Sequence, residues 1–508
     1  MPLTSYEFIW FVIILLVVYY LMPQKRQWYV LLIGSLFFYG LYDIRYLIYI
    51  GVSIVTTFFA ARYIGDSLDK QKEWLRTEGS SLSRDEKKAY RKKCQKGRDI
   101  LLWLCIVINI GILAITKYTN FVIESINDIT NSSIPVLSII VPFGISFYTF
   151  MLVSYLVDVS RGTVDAEKNP FRLALFASFF PHIGQGPIGR YGMVRETLYC
   201  GHKFDKKNIV YGGERILWGF FKKLVIADRI ALAVAEISSD PEYYRGGYAF
   251  FVIIFYMIQM YADFTGGIDI TIGVAECFGV RLQENFIHPL FSKSLKEFWR
   301  RWHISMASWF RDYLFYPISA SGWMRSFSKW CRKHLGNKVG DRLPLYVASF
   351  IVWFATGIWH GSSWNFIVWG LLNYVILMLS EEITPLAERF HNRCSWSNGK
   401  GYMIFTVIRT VVIVATLNIF DCYRARDAFS IIGSIFVPGG FAGVVGGGLM
   451  ELGLGISDYI IVAVGVVIMF AVSYMSREDS FRDRMHRLPY YSRAGLVMTL
   501  FFATILLG

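Results

Sequence analysis

Apolar runs of about 14 to 23 residues recur along this chain between short polar segments, near the roughly 20 residues that cross a bilayer as a helix. They are Tyr6–Met22, Trp28–Tyr42, Ile100–Ile115, Pro135–Val157, Tyr248–Tyr261, Leu345–Trp359, Phe366–Leu379, Met403–Phe420, Tyr459–Tyr474 and Ala494–Leu507. Each run is continuous, whereas the strands of a membrane barrel alternate apolar and polar residues. The pattern predicts an all-α, polytopic integral membrane protein. Residues 1–22 lack a basic n-region and a small-residue cleavage site, so they read as a retained helix.

Between Phe179 and Leu379 the pattern changes. Apolar runs there are short and broken by glycine, proline and charge, as in FFPHIGQGPIGRY (Phe179–Tyr191) and YADFTGGIDITIG (Tyr261–Gly273). Irregular backbone at membrane depth survives only where protein or a water-filled cavity surrounds it. The expectation is one membrane domain over residues 1–508. Its core, about 179–379, is built from broken or re-entrant helices around a cavity. Ordinary transmembrane helices form the wall, including those of about 401–508.

Composition agrees: 54% of residues are hydrophobic and only 18% charged, against nearer a quarter charged in a soluble domain. The distribution of charge adds orientation. The net charge of +14 is concentrated partly between Arg62 and Asp99, where Lys70, Lys72, Arg76, Arg84, Lys87, Lys88, Arg91, Lys92, Lys93, Lys96 and Arg98 follow one another. By the positive-inside rule, 62–99 reads as a basic cytoplasmic loop, with the N-terminus outside. Anionic lipid, not nucleic acid, is its expected neighbour. A second basic stretch, from Arg325 to Arg342, reads as a loop carrying an amphipathic surface helix, and the sequence does not fix its side. Seven cysteines stand singly with no CxxC pair, which supports neither a zinc ribbon nor a disulfide framework. GQGPIG (Gly184–Gly189) matches G-x-G-x-x-G by letter. It lacks a preceding strand and has Pro187 where a helix would start, so it reads as a turn.

Candidate chemistry collects in EFWRRWHISMASWFRDYLFYP (Glu297–Pro317) and in GIWHGSSWN (Gly357–Asn365). Ionisable groups at membrane depth are costly and by default mark function. Read as one helix, the first block puts Phe298, Trp302, Met306, Trp309 and Tyr313 on an apolar stripe, with Arg300, His303, Ala307 and Arg311 beside it. Glu297 and Arg301 make an i,i+4 pair. Periodicity leaves two readings open: an interfacial helix with snorkelling arginines, or a cavity wall presenting His303 inward. His360 lies between Trp359 and Gly361, where a neutral imidazole can take a hydroxyl proton. No G-x-S-x-G elbow or P-loop occurs, and no third ligand joins the two histidines, so no metal is expected.

PFGISFYTFMLVSYLVDVSRG (Pro142–Gly162), FFPHIGQGPIGR (Phe179–Arg190), YADFTGGIDITIG, NFIHPLFSKSLKEFWRRWHISMASWFRDYLFYPI (Asn285–Ile318) and GIWHGSSWNFIVWGLLN (Gly357–Asn373) follow one another in that order. In these blocks the chain resembles the membrane-bound O-acyltransferase (MBOAT) family. It is most similar to the bacterial branch that contains the membrane subunit of alginate O-acetylation. The resemblance implies the MBOAT fold, with His360 as the essential catalytic residue and His303 as the second active-site histidine. It also implies a thioester donor entering from the cytoplasm, acetyl-CoA or another acyl thioester, with no permanently bound cofactor. The acyl group, acetyl on this reading, goes to a hydroxyl acceptor in O-acetylation of a cell-surface polysaccharide. A secreted, esterase-like (SGNH) acetyltransferase is the expected partner, and the bacterial cytoplasmic membrane the expected location. Trp302, Trp309 and Trp359 are expected to shape and dry the cavity. Arg300, Arg311 and Asp312 are expected to hold the segment through ion pairs, and Asp263 to be a weaker candidate that pairs with an arginine.

Departures from the family pattern fall at Ser319–Leu343, which is longer and basic here, at Ile419–Phe429, and at YADFTGG. They bear on the acceptor. Two other readings stay open: D-alanyl or other acyl transfer from a carrier protein to a teichoic-acid-like polymer, and a transporter, whose broken helices also surround a cavity.

Overall fold

The computed structural model describes residues 1–508, the side chains of Ser395 and Asn398 excepted. Among the described residues the regular structure is helical throughout, and eight helices are long and apolar enough to cross a membrane. The protein is an all-α polytopic membrane protein. Its internal contacts divide it into two compact units, Met1–Gly213 with Thr271–Gln283, and Glu214–Ile270 with Glu284–Gly508.

In the first unit, residues 62–99 are not a loop. They form the ends of two long helices, Tyr46–Arg76 and Arg84–Thr130, joined by a short turn. Ser83 starts the second helix with a capping box: its Oγ accepts from the Glu86 amide, and the Glu86 carboxylate accepts from the Ser83 amide. At 1.5 Å per residue the 47-residue helix is about 70 Å long, against a hydrocarbon core of about 30 Å, so its basic first third overhangs the apolar part. Trp74 and Tyr90 stack at 3.8 Å across the overhang.

The run Pro135–Val157 is not one helix either. Asn131 ends the preceding helix in a left-handed conformation (φ +53°), and regular helix resumes only at Ile145. Between them the chain has no regular structure and is held onto the preceding helix by two asparagines. Asn120 exchanges hydrogen bonds with the backbone of Leu137, and Asn127 with that of Ile134. Pro135 and Pro142 withhold amides that a helix would use. Residues 179–190 are irregular, as the glycine–proline pattern predicts. His182 is fully buried there, with Nε2 on the Phe176 carbonyl at 3.0 Å.

In the second unit, YADFTGGIDITIG departs from expectation: it lies inside one continuous helix, Gly247–Cys277. Its glycines serve close approach. A Cβ on Gly219 would lie 2.6 Å from the Gly266 carbonyl oxygen, and one on Gly266 would lie 2.9 Å from that of Gly219. That crossing brings charge together. The Lys222 ammonium, 5% exposed, donates to Thr265 Oγ1 (2.9 Å) and Asp269 Oδ2 (2.5 Å). Arg215 pairs with Asp269 at 2.8 Å and, through both terminal nitrogens, with Glu284 at 2.6 Å. The basic stretch after Ser319 belongs to the helix Gly322–His360, which bends at Gly336 (φ +80°), so a basic amphipathic helix precedes the apolar one. The apolar half forms a hairpin with Trp364–Arg393. Its tight crossing needs Gly357 and Gly370, since a Cβ on either would lie 2.6 Å from a backbone oxygen of the other helix.

Candidate active site

Glu297–Pro317 is not a single helix. Leu295–Arg301 ends at Trp302, and Ile304–Phe310 begins after His303, whose φ is +47°. A π-helical turn, Arg311–Phe315, follows. The stripes expected for one continuous helix therefore do not hold across the break, although the Glu297–Arg301 pair forms at 2.6 Å. The break has a cause outside the segment. Asn285, fully buried, accepts the Ile304 amide on its carbonyl at 3.0 Å. Its side-chain oxygen accepts both the amide and the hydroxyl of Ser305 at 2.9 Å. Two buried amide donors at the start of the second helix are thereby satisfied, which makes the left-handed residue between the helices affordable.

The break turns His303 inward. It is 2% exposed, and its Nδ1 lies 3.2 Å from the Asn285 amide nitrogen. Its ring meets Phe264 edge-on at 4.9 Å and Trp359 at 5.8 Å. Trp359 is bonded to His360 in sequence, with their rings 5.1 Å apart. His360 ends its helix, half-buried, with Trp369 at 4.6 Å. Trp359 thus contacts both imidazole rings. Gly361 is required next to His360 because a Cβ there would lie 2.1 Å from the ring of Phe366.

Trp302 completes the shell: it stacks on Phe298 at 5.6 Å and packs on Phe286 at 4.7 Å and Tyr261 at 6.0 Å. Tyr261 and Phe286 also line a cavity of about 670 Å³, so the cavity lining and the histidine shell meet in this aromatic cluster. The cavity's remaining wall includes Trp218, Met469, Leu500 and the Arg215–Lys222–Asp269–Glu284 network.

Other expected residues lie outside this cluster. Trp309 packs on Phe310 and Tyr313. Arg300 and Arg311 are exposed, and Arg311 pairs with Asp312 at 3.0 Å. Asp263 is 40% exposed and pairs with Lys223, not an arginine, at 2.8 Å. Two residues the sequence reading passed over carry more of the geometry. Asn285 opens the block Asn285–Ile318, and no local pattern in the sequence singles out its amide. Asp269, one turn beyond Thr265, is the carboxylate at the centre of the buried network. Among the described residues, no group of three or more His, Cys, Asp or Glu is arranged to hold a metal ion.

A pair of histidines, one at a helix break and one at a helix end, lies among tryptophans in a polytopic helical membrane protein. The profile of the membrane-bound O-acyltransferase family matches residues 167–326 of the chain. The chain is 37% identical to the probable alginate O-acetylase AlgI of Azotobacter vinelandii over 277 residues, 53% of this chain and 51% of that one. It is 29% identical to the probable alginate O-acetylase AlgI of Pseudomonas putida over 480 residues, covering 93% of this chain and 86% of that one. The peptidoglycan O-acetyltransferase of Helicobacter pylori is 27% identical over 479 residues, covering 88% and 79%. The chain spans 51 to 64% of the length of the first three alginate O-acetylases it matches.

Proposed function

We propose that this protein is a membrane O-acyltransferase that moves an acyl group, acetyl by its similarity to O-acetylating relatives, from a cytoplasmic thioester such as acetyl-CoA to a hydroxyl acceptor. The route leads to O-acetylation of a cell-surface polysaccharide, through a secreted esterase-like partner or directly, at the cytoplasmic membrane of a bacterium. The observation that carries the reading is the approach of His303 to Trp359, and so to His360, inside an aromatic shell.

In this reading His360 is the general base. It takes the acceptor's hydroxyl proton as that oxygen attacks the thioester carbonyl carbon. The new C–O bond forms, negative charge collects on the carbonyl oxygen, and His303 donates a hydrogen bond to it. The C–S bond then breaks, and the leaving thiolate receives the proton held by His360. General-base assistance is worth about 10²–10⁴ in rate, and one oxyanion donor about 10²–10³. The tryptophans keep water away, which strengthens the donor's effect. Trp302 and Trp359 belong to that wall, and Trp309 supports it from the next turn. Arg300, Arg311 and Asp312 steady the segment from its surface, and Asp263 does the same for its own helix. Basic residues on the cytoplasmic side favour capture of a phosphorylated donor.

The test is turnover of labelled acetyl-CoA by purified protein in detergent, with a soluble hydroxyl acceptor. His360→Ala is expected to abolish transfer while leaving the thermal unfolding midpoint unchanged. Full transfer by that variant would remove His360 from its role, and transfer only of D-alanine from a carrier protein would replace the acetyl donor.

A further inference from the structure

We infer that Asn285 is a positioning residue that fixes the tautomer of His303, holding Nδ1 as an acceptor and the proton on Nε2. The inference rests on the acyl-transfer reading for its consequence, but not for its geometry.

The neighbours of the Asn285 amide fix which way it faces. A backbone amide can only donate, so the atom 2.9 Å from the Ser305 nitrogen must be the Asn285 oxygen. The same oxygen lies 2.9 Å from Ser305 Oγ. Its two lone pairs are therefore engaged, and its 3.4 Å approach to His303 Nδ1 is not a third hydrogen bond. The group directed at Nδ1 is the amide nitrogen, at 3.2 Å, and it has only protons to offer. A nitrogen that accepts carries no proton, so a neutral His303 is protonated at Nε2.

This divides the labour between the two histidines. A base needs a lone pair on the nitrogen that faces the substrate, whereas an oxyanion donor needs a proton there. With Nδ1 engaged by Asn285, Nε2 of His303 can donate but not accept. His303 is then the group that polarises the thioester carbonyl, and proton removal falls to His360. Asn285 does two things at once: its oxygen starts the helix Ile304–Phe310, and its nitrogen sets the proton on the residue before it.

Asn285→Asp separates the two. A carboxylate of the same shape still accepts from the Ser305 amide and hydroxyl, so the helix start survives. It has no proton to offer Nδ1, and the Ser305 amide and hydroxyl favour its ionised form. The imidazole proton moves to Nδ1, leaving a lone pair at Nε2. Nitrogen-15 spectra of imidazole-labelled protein, with His303→Gln used for assignment, are expected to place the proton on Nε2 in the natural protein and on Nδ1 in Asn285→Asp. In acetyl-CoA turnover, kcat for Asn285→Asp is expected to fall by about 10²- to 10³-fold with KM little changed. Proton on Nδ1 in the natural protein would overturn the inference, as would near-natural kcat in a variant whose tautomer has reversed. If Asn285→Asp does not fold, the natural protein's spectrum decides. The spectrum needs no turnover, so an Nε2 proton with no acyl transfer would overturn the functional reading and leave the positioning role standing.

Discussion

The rings of His303 and Trp359 lie 5.8 Å apart, inclined at 54°, with Phe310 packed on the same tryptophan at 6.4 Å. Trp359 is therefore the side chain through which a helix break and a helix end meet. Trp359→Phe keeps an aromatic face there and is expected to lower kcat by no more than about tenfold, in line with the ~0.5–1.5 kcal/mol of an aromatic pair. Trp359→Ala opens a buried cavity, which costs about 3–5 kcal/mol in a packed interior. It should lower both the unfolding midpoint and kcat. Equal kcat in the two variants would show that the ring does not hold the histidines together.

His303→Ala is expected to reduce kcat by about 10²- to 10³-fold without abolishing turnover, because it removes a donor and leaves the base. His360→Ala should reach background. Acetyl-CoA turnover with single-turnover controls distinguishes them, and a reversed order would exchange their roles.

The Arg215–Lys222–Asp269–Glu284 network is a matter of stability. Asp269→Asn leaves Lys222, 5% exposed, without its closest carboxylate. Breaking one side of such a buried pair typically costs about 3–5 kcal/mol. Thermal unfolding in detergent should show the loss, and Lys222→Met added to Asp269→Leu should recover part of it.

Gly370→Ala tests the hairpin crossing. The new Cβ would lie 2.6 Å from the Trp353 carbonyl oxygen, a backbone atom that cannot turn aside. Overpacking of this kind costs about 1–3 kcal/mol. Gly495→Ala is the control, because nothing lies within 4 Å of its Cβ. It should leave the midpoint unchanged or slightly raised.

The sequence by itself determined the helical membrane class, because burying backbone in lipid requires long apolar helices and leaves that demand visible as continuous runs. It also marked the two histidine blocks, since charge and tryptophan stand out against such a background. Local turn chemistry was legible where glycine and proline act on their own neighbours, as at 179–190. Tertiary structure decided the rest. Whether Gly266 breaks a helix or lets Gly219 approach it depends on what packs alongside, and no spacing encodes that. Residues 62–99 became helix because a capping box and a stacked partner extend two apolar helices beyond the membrane. Most of all, the kink that turns His303 inward is imposed by Asn285, a residue eighteen positions earlier in the chain. Periodicity reads a segment against itself; it cannot see a hydrogen bond that arrives from elsewhere.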